Sequence, residues 1–184
     1  VNYADKTGDK MRAILIVTLL ISTAWCADSL SATSPGLPLG SEAPGCYAKT
    51  IDGVDFFLRR HVGPRARNGL KGPVVLSFFT TSCLPCRKEI PFLHALKEEY
   101  PGLSIYLVNI GEDPETVQSY VGKMNYTLPV LLDRYGRISE NYSAKVTPTL
   151  IAINESGAID FYKQGFADAD TSTIMEIFNR LTTE

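Results

Sequence analysis

An apolar run, Val74-Val75-Leu76-Ser77-Phe78-Phe79, leads within a few residues to Cys83-Leu84-Pro85-Cys86, and that pair opens a segment with helical periodicity. A nearly continuous apolar run is the pattern of a strand buried on both faces. The segment after it places Cys86, Glu89, Ile90 and Leu93 on one stripe, as a helix packed on a sheet requires. Pro91 falls inside that helix and cannot donate to the carbonyl of Arg87, so a kink is expected there. A buried strand delivering a cysteine to a helix start restricts the chain to folds that layer helices on a sheet.

The rest of the chain continues this pattern. Val54 to Leu58 reads as a strand, one arm of a hairpin, and Leu103–Ile110 as another strand. Asp113-Pro114-Glu115 opens a helix, with acids at the positive end of its dipole and Pro at an early position. Pro129–Leu132 reads as a short strand before a small helix near Arg137–Tyr142. Pro148–Asn154 and Ala158–Lys163 read as two strands around a Ser156-Gly157 turn. Ile174, Ile177, Phe178 and Leu181 form the apolar stripe of a last helix. The order predicts an α/β domain, a mixed central sheet with an antiparallel end and helices on both faces. Residues 59–71 carry Arg59, Arg60, Arg65, Arg67 and Lys71 with no acid, broken by Gly63, Pro64 and Gly69, and are expected to be a solvated loop.

The first 26 residues are read as an upstream extension and a secretory signal segment. Lys10 and Arg12 precede an apolar run from Ala13 to Trp25, followed by small and polar residues. That run is shorter than the about 20 residues of a spanning helix. Translation is expected to start at Met11, with cleavage after Cys26; lipid attachment at Cys26 is the second reading and an uncleaved anchor the third. Residues 27–40, rich in Ser, Pro and Gly, are expected to be a flexible linker, and 41–184 the folded domain. Each outcome puts the domain outside the cytoplasm, where disulfide chemistry is normal. The net charge of −2 gives no reason to expect nucleic acid as a partner.

Unpaired N–H groups and the helix dipole favour a thiolate at Cys83, the form that attacks disulfides. Cys86, one turn on, is the resolving thiol that closes a disulfide with Cys83. Glu89 lies on the same helix face among apolar neighbours, which raise its proton affinity, so it is expected to accept the proton of Cys86. Zinc needs four ligands, and Cys46, His61 and His94 do not stand at finger-like spacing. Arg87 after Cys86 excludes haem attachment, which requires His there. Cys46 is expected to be a small buried apolar residue rather than a third redox thiol. The sites Asn125, Asn141 and Asn154 match the short N-glycosylation pattern, which arises easily by chance.

Ser41-Glu42-Ala43-Pro44, Val74–Glu89 with its cysteine pair, Val108-Asn109-Ile110-Gly111-Glu112, Leu128–Asp133 and Val146-Thr147-Pro148-Thr149 together resemble the TlpA/ResA-type extracytoplasmic thiol–disulfide oxidoreductases of the thioredoxin superfamily. The resemblance covers roughly residues 40–183. It implies a thioredoxin-like fold with an N-terminal strand extension and a central helix–strand insertion. It implies that Pro148 is a cis-proline facing the cysteines and that Thr147 offers backbone groups to a bound chain. Leu84 and Pro85, between the cysteines, join Thr147 and Pro148 as expected substrate-binding residues. It further implies that Glu89 is the acidic residue kept beside the pair, and that Pro91 is the shared helix kink. Ser82 stands where these proteins usually carry Trp, and Ser77 where thioredoxin has a buried Asp, which leaves the proton role to Glu89 alone.

The implied activity is reduction of protein disulfides by a monomer with no cofactor other than its own Cys83–Cys86 disulfide. The implied location is the bacterial periplasm or the outer face of the cell membrane. The implied partners are a disulfide-bearing protein, with apocytochrome c in cytochrome c maturation as the frequent case, and a membrane thiol donor of the CcdA/DsbD type. Two other readings stand beside it. One is a copper-handling module, since soft thiolates suit Cu(I). The other is a peroxiredoxin-like peroxidase, suggested by Thr80 three residues before Cys83 but opposed by Leu76, where a proline is expected.

Overall fold

The computed structural model describes residues 36–183. The secretory segment, the Met11 start and the Cys26 lipid site lie outside those residues, as does most of the expected linker. No helix among the described residues is long and apolar enough to cross a membrane.

A short antiparallel hairpin comes first, β1 (Tyr47–Lys49) and β2 (Asp55–Phe57). The main sheet and its helices follow: β3 (Val74–Phe79), α1 (Cys86–Glu99), β4 (Ser104–Ile110), α2 (Pro114–Met124), β5 (Val130–Asp133), α3 (Arg137–Asn141), β6 (Thr149–Ile153), β7 (Ile159–Gln164) and α4 (Thr171–Thr183). The five strands are ordered β5-β4-β3-β6-β7. Pairings β3–β4 and β4–β5 are parallel; β3–β6 and β6–β7 are antiparallel. The sheet is therefore mixed with an antiparallel end, as the order of apolar segments predicts.

Every residue of β3 is buried, because the strand is central and both of its faces are covered. Alternation along the strand divides the core. Val75 and Phe79 face Ile90, Leu93 and Leu96 of α1, Val117 of α2, and Ile174, Phe178 and Leu181 of α4. Val74, Leu76 and Phe78 face Ile138 of α3, Tyr142, and Ala48 and Phe56 of the hairpin. Ser77 shares the α1 face with Val75 and Phe79, which puts a hydroxyl among apolar side chains one layer below the cysteines.

The helix starts follow their local chemistry. Asp113 caps α2, its carboxylate accepting the Glu115 N–H at 3.1 Å, with Pro114 at the first helical position. The buried Asp133 at the end of β5 accepts the N–H groups of Ile138 and Ser139 at 3.0 and 2.8 Å, which holds the short α3 against the sheet. Pro91 lies inside α1 without ending it.

Two segments carry more contacts than composition suggests. From Gly36 to Gly40 the chain packs on the sheet: Leu37 joins the hairpin-side core and the Gly40 N–H donates to Ile159 at 2.7 Å. A side chain at Gly36 would occupy the space of the Tyr162 ring. The basic stretch 59–71 is solvated only in part. Leu58–Arg60 forms a 3-10 turn, His61 and Val62 are buried, the Arg60 guanidinium lies 4.0 Å from the Phe57 ring centre, and Lys71 pairs with Glu155. A run of cations conceals the apolar residues that pin this segment.

Candidate active site

The turn after β3 brings Cys83 to the start of α1, and Cys86 is the first residue of that helix. The two sulfurs are joined in a disulfide. Cys86 is fully buried, whereas Cys83 retains 7% of its surface. Cys83 is thus the less deeply buried of the two. The Cys86 N–H, one of the unpaired donors of the first helical turn, points at Cys83 Sγ at 3.2 Å. An N–H so placed at a helix start favours a thiolate over a thiol.

Glu89 is one turn further on and has no exposed surface. Its Oε2 accepts the Ser77 hydroxyl at 2.6 Å, while Oε1 has no hydrogen-bond partner in the protein. Burial pushes the carboxyl up to about 7; the Ser77 hydrogen bond opposes that rise, and the Asp170 charge adds to it. A carboxyl balanced near neutral pH both takes and returns a proton readily. Ser77 enters the site through its hydrogen bond to Glu89. The sequence marks it only as the replacement for a buried Asp, and a hydroxyl within an apolar strand is the signal that was there to be used.

The remaining expected site residues lie between the cysteines and at the start of β6. Leu84, 67% exposed, and the exposed Pro85 form the outer rim between the cysteines. The Thr147–Pro148 peptide bond is cis. The antiparallel register pairs Phe78 with Thr149, so Thr147 and Pro148 lie beside the end of β3. Thr147 and Thr80 line one groove of about 480 Å³ with Ile110, Ala144 and Lys145. Thr147 is half-buried and Pro148 is buried. The expected rim and the proline loop therefore lie at the same end of the sheet, the carboxyl end of its parallel strands, where open α/β sheets receive ligands.

Cys46 is apart from this site. It is buried beneath the hairpin, and burial, followed by the Asp133 charge, pushes its thiol up to about 12. Such a thiol is unreactive at neutral pH. The His94 ring is engaged with Thr127, whose hydroxyl is 3.1 Å from Nδ1. The Thr80 and Ser82 hydroxyls share a hydrogen bond at 3.3 Å. Among the described residues no three His, Cys, Asp or Glu side chains group as a metal ion would need.

A sequence profile of the AhpC/TSA family matches residues 40–162, two thirds of the chain. The chain belongs to the AhpC/TSA family. Its curated relatives include the thioredoxin-like protein YneN of Bacillus subtilis, 29% identical over 154 residues, covering 81% of this chain and 85% of the relative. Another is the thiol-disulfide oxidoreductase ResA of Geobacillus thermodenitrificans, 27% identical over 152 residues, covering 81% and 83%. Among solved structures, the thioredoxin domain of a thiol-disulfide oxidoreductase from Bacteroides vulgatus superimposes with a TM-score of 0.64 at 22% identity, over 78% of this chain and 98% of that one. With these relatives and this fold the chain is a TlpA/ResA-type member of the thioredoxin superfamily.

Proposed function

We propose that the protein is an extracytoplasmic thiol–disulfide oxidoreductase that reduces disulfides in other proteins. The Cys83 thiolate attacks one sulfur of the substrate disulfide. A Cys83–substrate bond forms, the substrate S–S bond breaks, and one substrate thiol leaves. Cys86 then gives its proton to Glu89 and attacks Cys83 Sγ. The Cys83–Cys86 disulfide forms, the mixed disulfide breaks, and the second substrate thiol leaves carrying a proton. Two electrons have passed from the dithiol to the substrate, so no bound cofactor is needed. Leu84, Pro85, Thr147 and Pro148 form the surface on which the substrate chain lies, with Thr147 offering backbone groups to an extended segment.

The observation that carries this reading is the Cys83 sulfur 3.2 Å from the Cys86 N–H at the start of α1, with the buried Glu89 carboxyl one turn further along the helix. The similarity to thiol-disulfide oxidoreductases such as ResA supports it. Regeneration of the dithiol is assigned to a membrane thiol donor of the CcdA/DsbD type, and apocytochrome c is the leading substrate. The second reading from the sequence is a peroxiredoxin-like peroxidase. The disulfide closed within one helical turn favours dithiol exchange over that chemistry, because the resolving thiol is already adjacent.

The reduction potential of the Cys83–Cys86 couple tests the direction. Leu84-Pro85 supplies no cation to stabilise the Cys83 thiolate strongly, so the expected value is near that of thioredoxin, about −270 mV. A value towards about −120 mV makes the protein an oxidant and overturns the proposed direction.

A further inference from the structure

We infer that Glu112 is a positioning residue that fixes the turn carrying Cys83, an inference that rests on the exchange chemistry proposed above. Strands β3 and β4 are parallel and end side by side, with Phe79 opposite Asn109. Gly111 follows β4 with φ +68°, a left-handed conformation that reverses the chain and brings Glu112 back towards the end of β3. Three donors converge on the Glu112 carboxylate. Oε2 accepts the Thr81 N–H at 2.8 Å and the Asn109 side-chain amide at 2.6 Å, and Oε1 accepts the Thr81 hydroxyl at 2.6 Å. Hydrogen bonds to an ionised acceptor are the strong ones. Asn109 is buried with its own Oδ1 unpaired, so its side chain is committed to Glu112.

Thr81 is two residues before Cys83, and the turn between them is otherwise lightly held. The Cys83 N–H donates to the Thr80 carbonyl at 3.2 Å, and the Thr80 and Ser82 hydroxyls are 3.3 Å apart. In the disulfide state the S–S bond itself restrains Cys83. In the dithiol state that tether is gone, and the sulfur remains under the Cys86 N–H only if the turn before it holds still. Glu112 supplies that restraint by gripping both the main chain and the side chain of Thr81. Its own negative charge works in the other direction, since a nearby anion raises the proton affinity of a thiol. The two effects therefore have opposite signs.

The test is the rate of Cys83 alkylation by iodoacetamide against pH, in the reduced full-length protein. Glu112→Ala loses all three bonds, and its midpoint is expected to rise by about one pH unit, leaving about tenfold less thiolate at pH 7. Glu112→Gln keeps an acceptor for the Thr81 N–H, and its amide can donate to the Thr81 hydroxyl, so the restraint is kept while the charge is lost, and the midpoint is expected not to rise. A downward shift in both variants assigns the effect to charge and overturns the positioning role. An unchanged midpoint in a folded Glu112→Ala protein also overturns it. Should Glu112→Ala not fold, Thr81→Val, which removes one bond, must raise the midpoint by a smaller amount; no rise overturns the inference. Failure of the unaltered protein to reduce glutathione disulfide is a separate result and counts against the exchange reading itself.

Discussion

Replacing Glu89 by Gln removes a carboxyl that burial keeps protonated until about pH 7. In the unfolded chain the same group titrates near 4.5. A carboxyl whose proton affinity rises on folding favours the folded state while it is protonated. That contribution is complete below about pH 4.5 and is lost as the pH rises through about 7. At about 1.4 kcal/mol per pH unit, the interval corresponds to about 3 kcal/mol of stability lost across it. Gln fills nearly the same volume, still accepts the Ser77 hydroxyl, and does not ionise. The stability difference between Glu89→Gln and the unaltered protein should therefore shift by about 3 kcal/mol in favour of the variant between pH 4 and pH 8. Urea unfolding of the disulfide form at intervals over that range measures it. A difference that is constant with pH would refute the reasoning, because it would mean that Glu89 titrates alike in both states. The same variant should resolve mixed disulfides about a hundredfold more slowly at pH 7, as the loss of a general base predicts.

Ser77→Ala removes the hydrogen bond that opposes the rise in Glu89. It should cost about 1.5–3 kcal/mol at pH 8, where the carboxylate is ionised, and less at pH 5; equal costs at the two pH values would deny the link. Cys46→Ala should leave disulfide reduction unchanged, and Cys46 in the native protein should resist iodoacetamide at pH 8 while reduced Cys83 reacts. Mass mapping of the alkylated peptides decides this, and fast labelling of Cys46 would contradict its burial and raised proton affinity.

Features that depend on short spacing were legible in the sequence. The Cys83–Cys86 pair, Glu89 on the same helical stripe, the Asp113 cap and the stripe of α4 follow from periodicity within a few residues. The cis bond before Pro148 was accessible only through the family resemblance, because proline at a strand start is compatible with either isomer. Contacts made by strand register were not legible. The Ser77–Glu89 bond spans 12 residues and depends on which face of β3 meets α1. The Glu112–Thr81 grip spans 31 residues and exists because β3 and β4 happen to end at the same level. The burial of His61 and Val62 was hidden for a different reason. Charge dominates the reading of a short segment, while burial is decided by what packs above it.

The measurement that bears most directly on the exchange mechanism is trapping with Cys86→Ser. The variant, reduced and mixed with glutathione disulfide, should hold one glutathione per chain, and peptide mapping should find it on Cys83. Cys83→Ser under the same conditions should hold none. Glutathione on Cys46 instead, or no adduct with the Cys86→Ser protein folded, would contradict the assignment of Cys83 as the attacking thiol and Cys86 as the one that releases the product.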